Sequence, residues 1–240
     1  FAFDHFFFKT VHYLFIFLDD VKKRGKIEWR VTFMHAQNRT NKINLSEYLQ
    51  SLGTEIRFQN GEVLWKQGDR ASYVFAVSSG ILKLQRCWPS GSQTILGLSN
   101  RGSIIGEETV ISNSKRNSTC IAISPGRGFR IPKQSIDKVV NSAEVSLSLL
   151  ELSSQRFQET LLRMEELLDG SVENRLASTI IRLGEQLGFS DGRGIFIPVR
   201  LTRGELAEFI GCRAETTTRL MTKWKRGNIV ESKREGITIN

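Results

Sequence analysis

The chain has 240 residues, 40% apolar and 25% charged, a balance that excludes a disordered or fibrous chain and leaves room for one large domain or two ordinary ones. Its longest strongly apolar run, around Tyr13 to Leu18, is far below the roughly 20 residues that a membrane-spanning helix needs, so no membrane partner is expected. Thirty-four basic against 25 acidic side chains give a formal net charge of +9, which fits a polyanionic partner such as nucleic acid and, by itself, equally a membrane surface.

Residues 1 to 33 carry eight of the fifteen phenylalanines, and the first methionine is Met34. The expectation is an N-terminal extension over residues 1–44, either an upstream segment foreign to the natural protein or an unusual amphipathic appendage. The apolar stretch lacks the basic flank and small-residue cleavage site of a signal peptide. All three histidines (His5, His12, His35) lie here, which argues against histidine acid/base catalysis, His-bound zinc and His-ligated haem in the rest of the chain. Cys87, Cys120 and Cys212 are odd in number and widely spaced. They draw neither a disulfide framework nor a CxxC site, and fit a reducing, cytoplasmic setting. Cys87 and Cys120 as redox sensors compete with the commoner role of cysteine as a small buried apolar residue.

From about Glu55 to Arg130 short alternating runs are broken by glycine, which is an all-β rhythm. Gly61, Gly68, Gly80, Gly91, Gly97, Gly102 and Gly106 are each expected to close a turn between strands of a sandwich or barrel. Helices resume after Pro132. Leu147, Leu150, Phe157, Leu161, Met164 and Leu168 then fall at alternating steps of three and four, with Ser154 as the one polar member. This heptad seam predicts a long helix paired with its twin from a second chain. Asp169 and Gly170 interrupt it, with Gly170 as a candidate hinge. Ser171 can cap a helix carrying Val172, Leu176, Ile180, Leu183 and Leu187 on one face before Gly188 ends it.

The strongest local signal lies between Leu201 and Val230 and reads as helix, tight turn, helix. Thr202 and Glu205 make a capping box, Ala207 allows close approach of a second helix, and Gly211 makes the turn. In the second helix Thr217, Leu220, Met221 and Trp224 turn inward, leaving Arg213, Glu215, Thr216, Thr218, Arg219 and Lys223 outward. A DNA-binding helix-turn-helix presents such a face to the major groove. Arg219 can fork onto guanine O6 and N7, Glu215 can accept from a cytosine N4, and the Thr218 methyl can touch a thymine methyl. Ile229–Glu231 and Ile237–Ile239 flank a polar turn and predict a two-stranded wing. Thr202, Arg213, Thr216 and Lys223, with Lys233 and Arg234 of the wing, are the candidate phosphate contacts. The competing reading is an αα-hairpin whose charges are merely solvated.

NGEVLWKQGD, SGILKL, GSQTILGL and RGSIIGEE, followed by the seam helix and GCRAETTTRL, resemble the CRP/FNR family of bacterial transcription regulators over about residues 45 to 240. The resemblance implies an α+β chain: an N-terminal β-roll (jelly-roll) of the cyclic-nucleotide-binding type over 45–142, a dimerisation helix over 143–169, and a winged helix-turn-helix over 170–240. It implies a homodimer on a two-fold symmetric DNA operator that recruits or blocks RNA polymerase, and no enzyme. ETTTR looks like the family's FNR-type E-x-x-S/T-R motif, which assigns base reading to Glu215, Thr218 and Arg219 and suggests TTGA-like half-sites. Ala214 stands where the cAMP-receptor branch has an arginine.

The same resemblance places the effector pocket at Gly106, Glu107, Arg116, Asn117 and Ser118. Where cyclic-nucleotide binders have Arg-Ser, this chain has Asn117-Ser118, with the arginine displaced to Arg116. Losing that bidentate contact costs about 1.5 to 3 kcal/mol, so weak or no cAMP binding is expected. With no N-terminal cysteine and Phe129 in FRIP, a four-cysteine iron-sulfur site cannot be built. The effector is therefore an unidentified small molecule. Two alternatives remain: a cAMP-responsive regulator in which Arg116 supplies the clamp, and a small-molecule-binding regulatory module that acts through protein partners without specific DNA binding.

Overall fold

The computed structural model describes residues 44–192 and 194–240, which fall into two compact units dividing between Leu168 and Asp169. The expectations for residues 1–43, including the three histidines, lie outside the described residues.

In the first unit helix α1 (Leu45–Ser51) is capped by Asn44, whose side chain accepts from the Glu47 N–H. Eight strands follow: β1 (Thr54–Phe58), β2 (Val63–Trp65), β3 (Tyr73–Ser79), β4 (Leu82–Cys87), β5 (Gln93–Ser99), β6 (Ile104–Ile105), β7 (Thr119–Ala122) and β8 (Gly126–Pro132). They form two four-stranded sheets, ordered β1-β8-β3-β6 and β2-β7-β4-β5. The pairing is antiparallel throughout. Alternation along β3 explains how the layers hold together, because successive side chains point to opposite faces. Phe75 and Val77 pack with Phe58, Leu82, Cys120 and Ala122 between the sheets. Val74 and Ala76 pack on the other side, against Leu49 of α1, Val110 of α2 (Glu107–Ile111) and Ile136 of α3 (Lys133–Val139).

Gly61, Gly68, Gly80, Gly91, Gly102 and Gly106 take positive φ, as turn glycines do. Gly97 does not: it lies inside β5, paired with Leu84. Helix α4 (Ala143–Asp169) buries Val145, Ser148 and Leu149 against its own unit.

The second unit opens with α5 (Val172–Leu187), whose cap Ser171 accepts from the Asn174 N–H. Strands β9 (Phe189–Ser190) and β10 (Ile195–Ile197), helices α6 (Arg203–Ile210) and α7 (Ala214–Arg226), and strands β11 (Val230–Ser232) and β12 (Ile237–Ile239) follow. The expected two-stranded wing is half of a four-stranded sheet ordered β11-β12-β10-β9. The wing pair itself forms over β11 and β12, and its extension by β10 and β9 has a packing cause, since Ile197 of β10 and Ile239 of β12 share the core with α5.

Candidate nucleic-acid interface and effector pocket

The capping box forms in full: the Thr202 hydroxyl accepts from the Glu205 N–H at 3.1 Å, and Glu205 Oε2 accepts from the Thr202 N–H at 2.9 Å. The same hydroxyl donates to Glu205 Oε2 at 3.1 Å. Its one O–H donor is thereby engaged within α6, where the sequence reading expected it to face a phosphate. Gly211, with φ 64°, ends α6 in the left-handed conformation that glycine adopts at low cost. Two residues, Cys212 and Arg213, separate it from α7, and the turn is held close by Cys212, whose Sγ lies 3.3 Å from Thr217 Oγ1.

Along α7 Thr217, Leu220, Met221 and Trp224 are buried, while Glu215, Thr218 and Arg219 are exposed together. Glu215 and Arg219 have no hydrogen-bond or ion-pair partner among the described residues. The Thr218 hydroxyl donates to the Ala214 carbonyl at 2.8 Å, which turns it to the backbone and leaves the methyl outward. Arg213 is exposed and Thr216 half-buried. Lys223 is exposed, yet its ammonium donates to both oxygens of Glu173 on α5, at 2.9 and 3.1 Å.

In the turn of the wing Lys233 pairs with Glu231 at 3.0 Å, and Arg234 is exposed. Lys225 and Arg226, passed over in the sequence reading although KWKR spells them out, add two exposed cations in the last turn of α7. Arg203 was missed as well: it donates to Ser232 Oγ at 3.1 Å and so ties the start of α6 to the wing.

In the first unit Gly106 caps α2 with φ 79°. A Cβ there would stand 2.1 Å from Arg116 Nη1, so the guanidinium requires glycine at this position. Arg116 is 3% exposed. It donates from Nη1 to the Gly106 carbonyl at 3.0 Å and to Thr109 Oγ1 at 3.1 Å, and from Nη2 to the Tyr73 carbonyl. The guanidinium carbon lies 4.2 Å from the ring centre of Trp65 and 4.9 Å from that of Tyr73. Burial pushes the guanidinium down from its ordinary value.

Glu107 is also buried, and its Oε1 accepts from Arg156, which reaches in from α4 and donates to the Ile104 carbonyl as well. Burial pushes the Glu107 carboxyl up, with Arg156 opposing it. Glu107 Oε2 is buried without a hydrogen-bond partner among the described residues. Ser118 is buried beside this cluster in sequence, but Asn117 is exposed and departs from the expectation that it lines the pocket. These three residues form a bend ahead of β7, in which Arg116 and Ser118 are buried and Asn117 is turned out to solvent. Nothing in the sequence marked Arg156, because its partner lies 49 positions away.

Cys120 is fully buried and burial pushes its thiol up, whereas Cys87 is exposed at the end of β4, contrary to a shared core role. The seam residues Leu147, Leu150, Phe157, Leu161, Met164 and Leu168 are all exposed, as are Leu162 and Leu167, which the heptad reading left out.

Residues 55–143 match the cyclic nucleotide-binding domain, and residues 174–240 match the Crp-like helix-turn-helix domain. The global nitrogen regulator of Synechococcus elongatus is 26% identical over 186 residues, which are 76% of this chain and 84% of that protein. The fumarate and nitrate reduction regulatory protein of Yersinia pestis is 28% identical over 188 residues, 75% of this chain and 72% of the relative. Among solved structures, FixK2 from Bradyrhizobium japonicum has the same fold, with a TM-score of 0.70 at 18% identity over 78% of this chain and 92% of that one. These relatives are named as regulators rather than enzymes. With a β-roll of the cyclic nucleotide-binding type followed by a Crp-like reading domain, the chain belongs to the CRP/FNR family of DNA-binding transcription regulators.

Proposed function

We propose that the protein acts in the cytoplasm as a homodimer that reads a two-fold symmetric, TTGA-like operator, under control of a small-molecule effector taken up by the β-roll, and that it acts on RNA polymerase from that site. The observation that carries the reading is the outward stripe of α7, where Glu215, the Thr218 methyl and Arg219 stand together, with the two charged groups unengaged among the described residues. A structural αα-hairpin has no need to hold a carboxylate, a methyl and a guanidinium ready on one turn. The DNA code does, because a mixed half-site offers a donor, a methyl and paired acceptors on neighbouring base edges.

The effector is proposed to be other than cAMP. Arg116, the arginine next to the position of the expected clamp, is committed to two backbone carbonyls, a threonine hydroxyl and two aromatic rings. Freeing it would break bonds to buried acceptors.

The test is a binding titration on a TTGA-type palindrome and its guanine-substituted variants. Arg219→Ala is expected to cost about 1 to 3 kcal/mol and to relax preference at one base. Lys233→Ala should weaken binding to all sequences about equally and lower the salt slope by about one. If Arg219→Ala lowers affinity for every sequence alike, the recognition role of α7 fails and a module acting through protein partners becomes the better reading.

A further inference from the structure

Glu173 is the second residue of α5, and its side chain is 19% exposed. Its Oε1 accepts from the indole Nε1–H of Trp224 at 2.9 Å and from Lys223 Nζ at 2.9 Å, and its Oε2 accepts from the same ammonium at 3.1 Å. One carboxylate thus grips two consecutive residues of α7. Neighbours on an α-helix point about 100° apart, so a fixed acceptor that holds both leaves the helix no freedom to roll about its axis. Roll is the coordinate that decides which side chains face a groove, and Arg219 sits less than two turns from the grip.

The same turn of α5 holds the other helix as well. Arg175 donates from Nε to the Ile210 carbonyl at the end of α6 and from Nη1 to the Gly170 carbonyl, both at 2.9 Å.

We infer that Glu173 is the positioning residue of the recognition helix: it sets the roll of α7 relative to the start of α5 and thereby the discrimination between operator and unrelated DNA. Lys223 belongs to this grip rather than to the phosphate contacts. The inference rests on the reading of α7 as the recognition helix. Charge alone argues against any affinity role for Glu173, since a carboxylate beside a DNA-binding helix repels phosphates. Trp224 Nε1–H, a donor only, is buried and needs an acceptor.

The test uses the full chain and its variants Glu173→Ala, Glu173→Gln and Lys223→Met, with affinity measured for the TTGA-type palindrome and for a scrambled duplex. Glu173→Ala is expected to cut the ratio of the two affinities at least tenfold. Glu173→Gln, which keeps an acceptor for the indole, should restore most of it. Lys223→Met should leave the salt slope unchanged. Hydrogen exchange of the Trp224 indole N–H, assigned with Trp224→Phe, should quicken in Glu173→Ala and remain slow in Glu173→Gln. The inference is overturned if Glu173→Ala tightens binding to both duplexes alike, as mere removal of a negative charge does, if Lys223→Met lowers the salt slope by about one, or if indole exchange is the same in Glu173→Ala and the wild type. Should Glu173→Ala unfold, Glu173→Gln and Lys223→Met decide on the same readouts: a ratio for Glu173→Gln as low as that of Trp224→Phe overturns the inference. A wild type that does not prefer the palindrome defeats the recognition reading, while the exchange measurement still decides whether Glu173 holds α7.

Discussion

Cys120 and Arg116 lie in the same β-rich interior and answer to burial in opposite ways. The thiol is held neutral there, since a thiolate in an apolar site has no solvation to replace that of water, and its ionisation is pushed above the ordinary value of 9.0. A folded-state value raised in this way contributes stability below the ordinary thiol range. That contribution is lost as pH rises above 9, because the unfolded chain releases its proton while the folded chain keeps it. Urea unfolding is therefore expected to show wild-type stability falling more steeply between pH 9 and 10 than that of Cys120→Ala, by up to about 1.4 kcal/mol per pH unit. In the native protein a thiol reagent should modify the exposed Cys87 and spare Cys120 until the chain unfolds.

Arg116 keeps its charge by replacing water with carbonyls and π-faces. Its removal should destabilise the β-roll by about 2 to 3 kcal/mol, since buried acceptors lose their donor. Calorimetry with cAMP should give no binding at micromolar nucleotide. Tight binding abolished by Arg116→Ala, with stability unchanged, would make Arg116 a phosphate clamp instead.

At the scale of elements the capping box on α6 separates structural from DNA-contacting chemistry. Thr202→Ala removes an acceptor from the Glu205 N–H and should cost the second unit about 1 kcal/mol in urea unfolding. The salt slope of DNA binding should stay as it is, because no phosphate contact is lost. A slope reduced by about one would return Thr202 to the phosphate contacts.

Thr202, Gly211 and the inward set of α7 were legible in the sequence because caps, turns and helical periodicity are written within a few residues of one another. The seam of α4 was legible for the same reason. Strands β9 and β10 were not: each is three residues or fewer, and β10 finds its partner β12 only through distant residues, with β9 added on its other edge. Gly97 carried a turn signal that β5 overrode, since its pairing across from Leu84 accepts a glycine in an extended conformation. Glu173 and Arg156 were illegible in principle, because a surface-type charge becomes a buried grip only through partners about fifty positions away.

For the whole molecule the decisive feature is that α4 has two opposed faces. Val145, Ser148 and Leu149 are buried against the β-roll, while Leu147 and Leu150, two residues along from Val145 and Ser148 and so about 200° around the helix, open a seam whose side chains stand 48 to 78% exposed. A contiguous apolar stripe of this length on a monomer is a liability, and its heptad spacing suits a second copy of the same helix. Sedimentation should therefore show a dimer at micromolar concentration, and Phe157→Glu combined with Leu161→Glu should convert it to monomer without unfolding the β-roll, whose core faces the other side of α4. Two reading heads on a two-fold axis enter successive major grooves on one face of the duplex, so half-sites should need a spacing of one helical turn, roughly 34 Å. Inserting half a turn of DNA should abolish the gain from the second half-site, and the glutamate pair should reduce binding to that of a single half-site on any spacing. A dimer untouched by the two glutamates places the interface elsewhere than the seam. Affinity indifferent to half-turn respacing removes the two-fold axis from the DNA complex, and with it the palindromic operator.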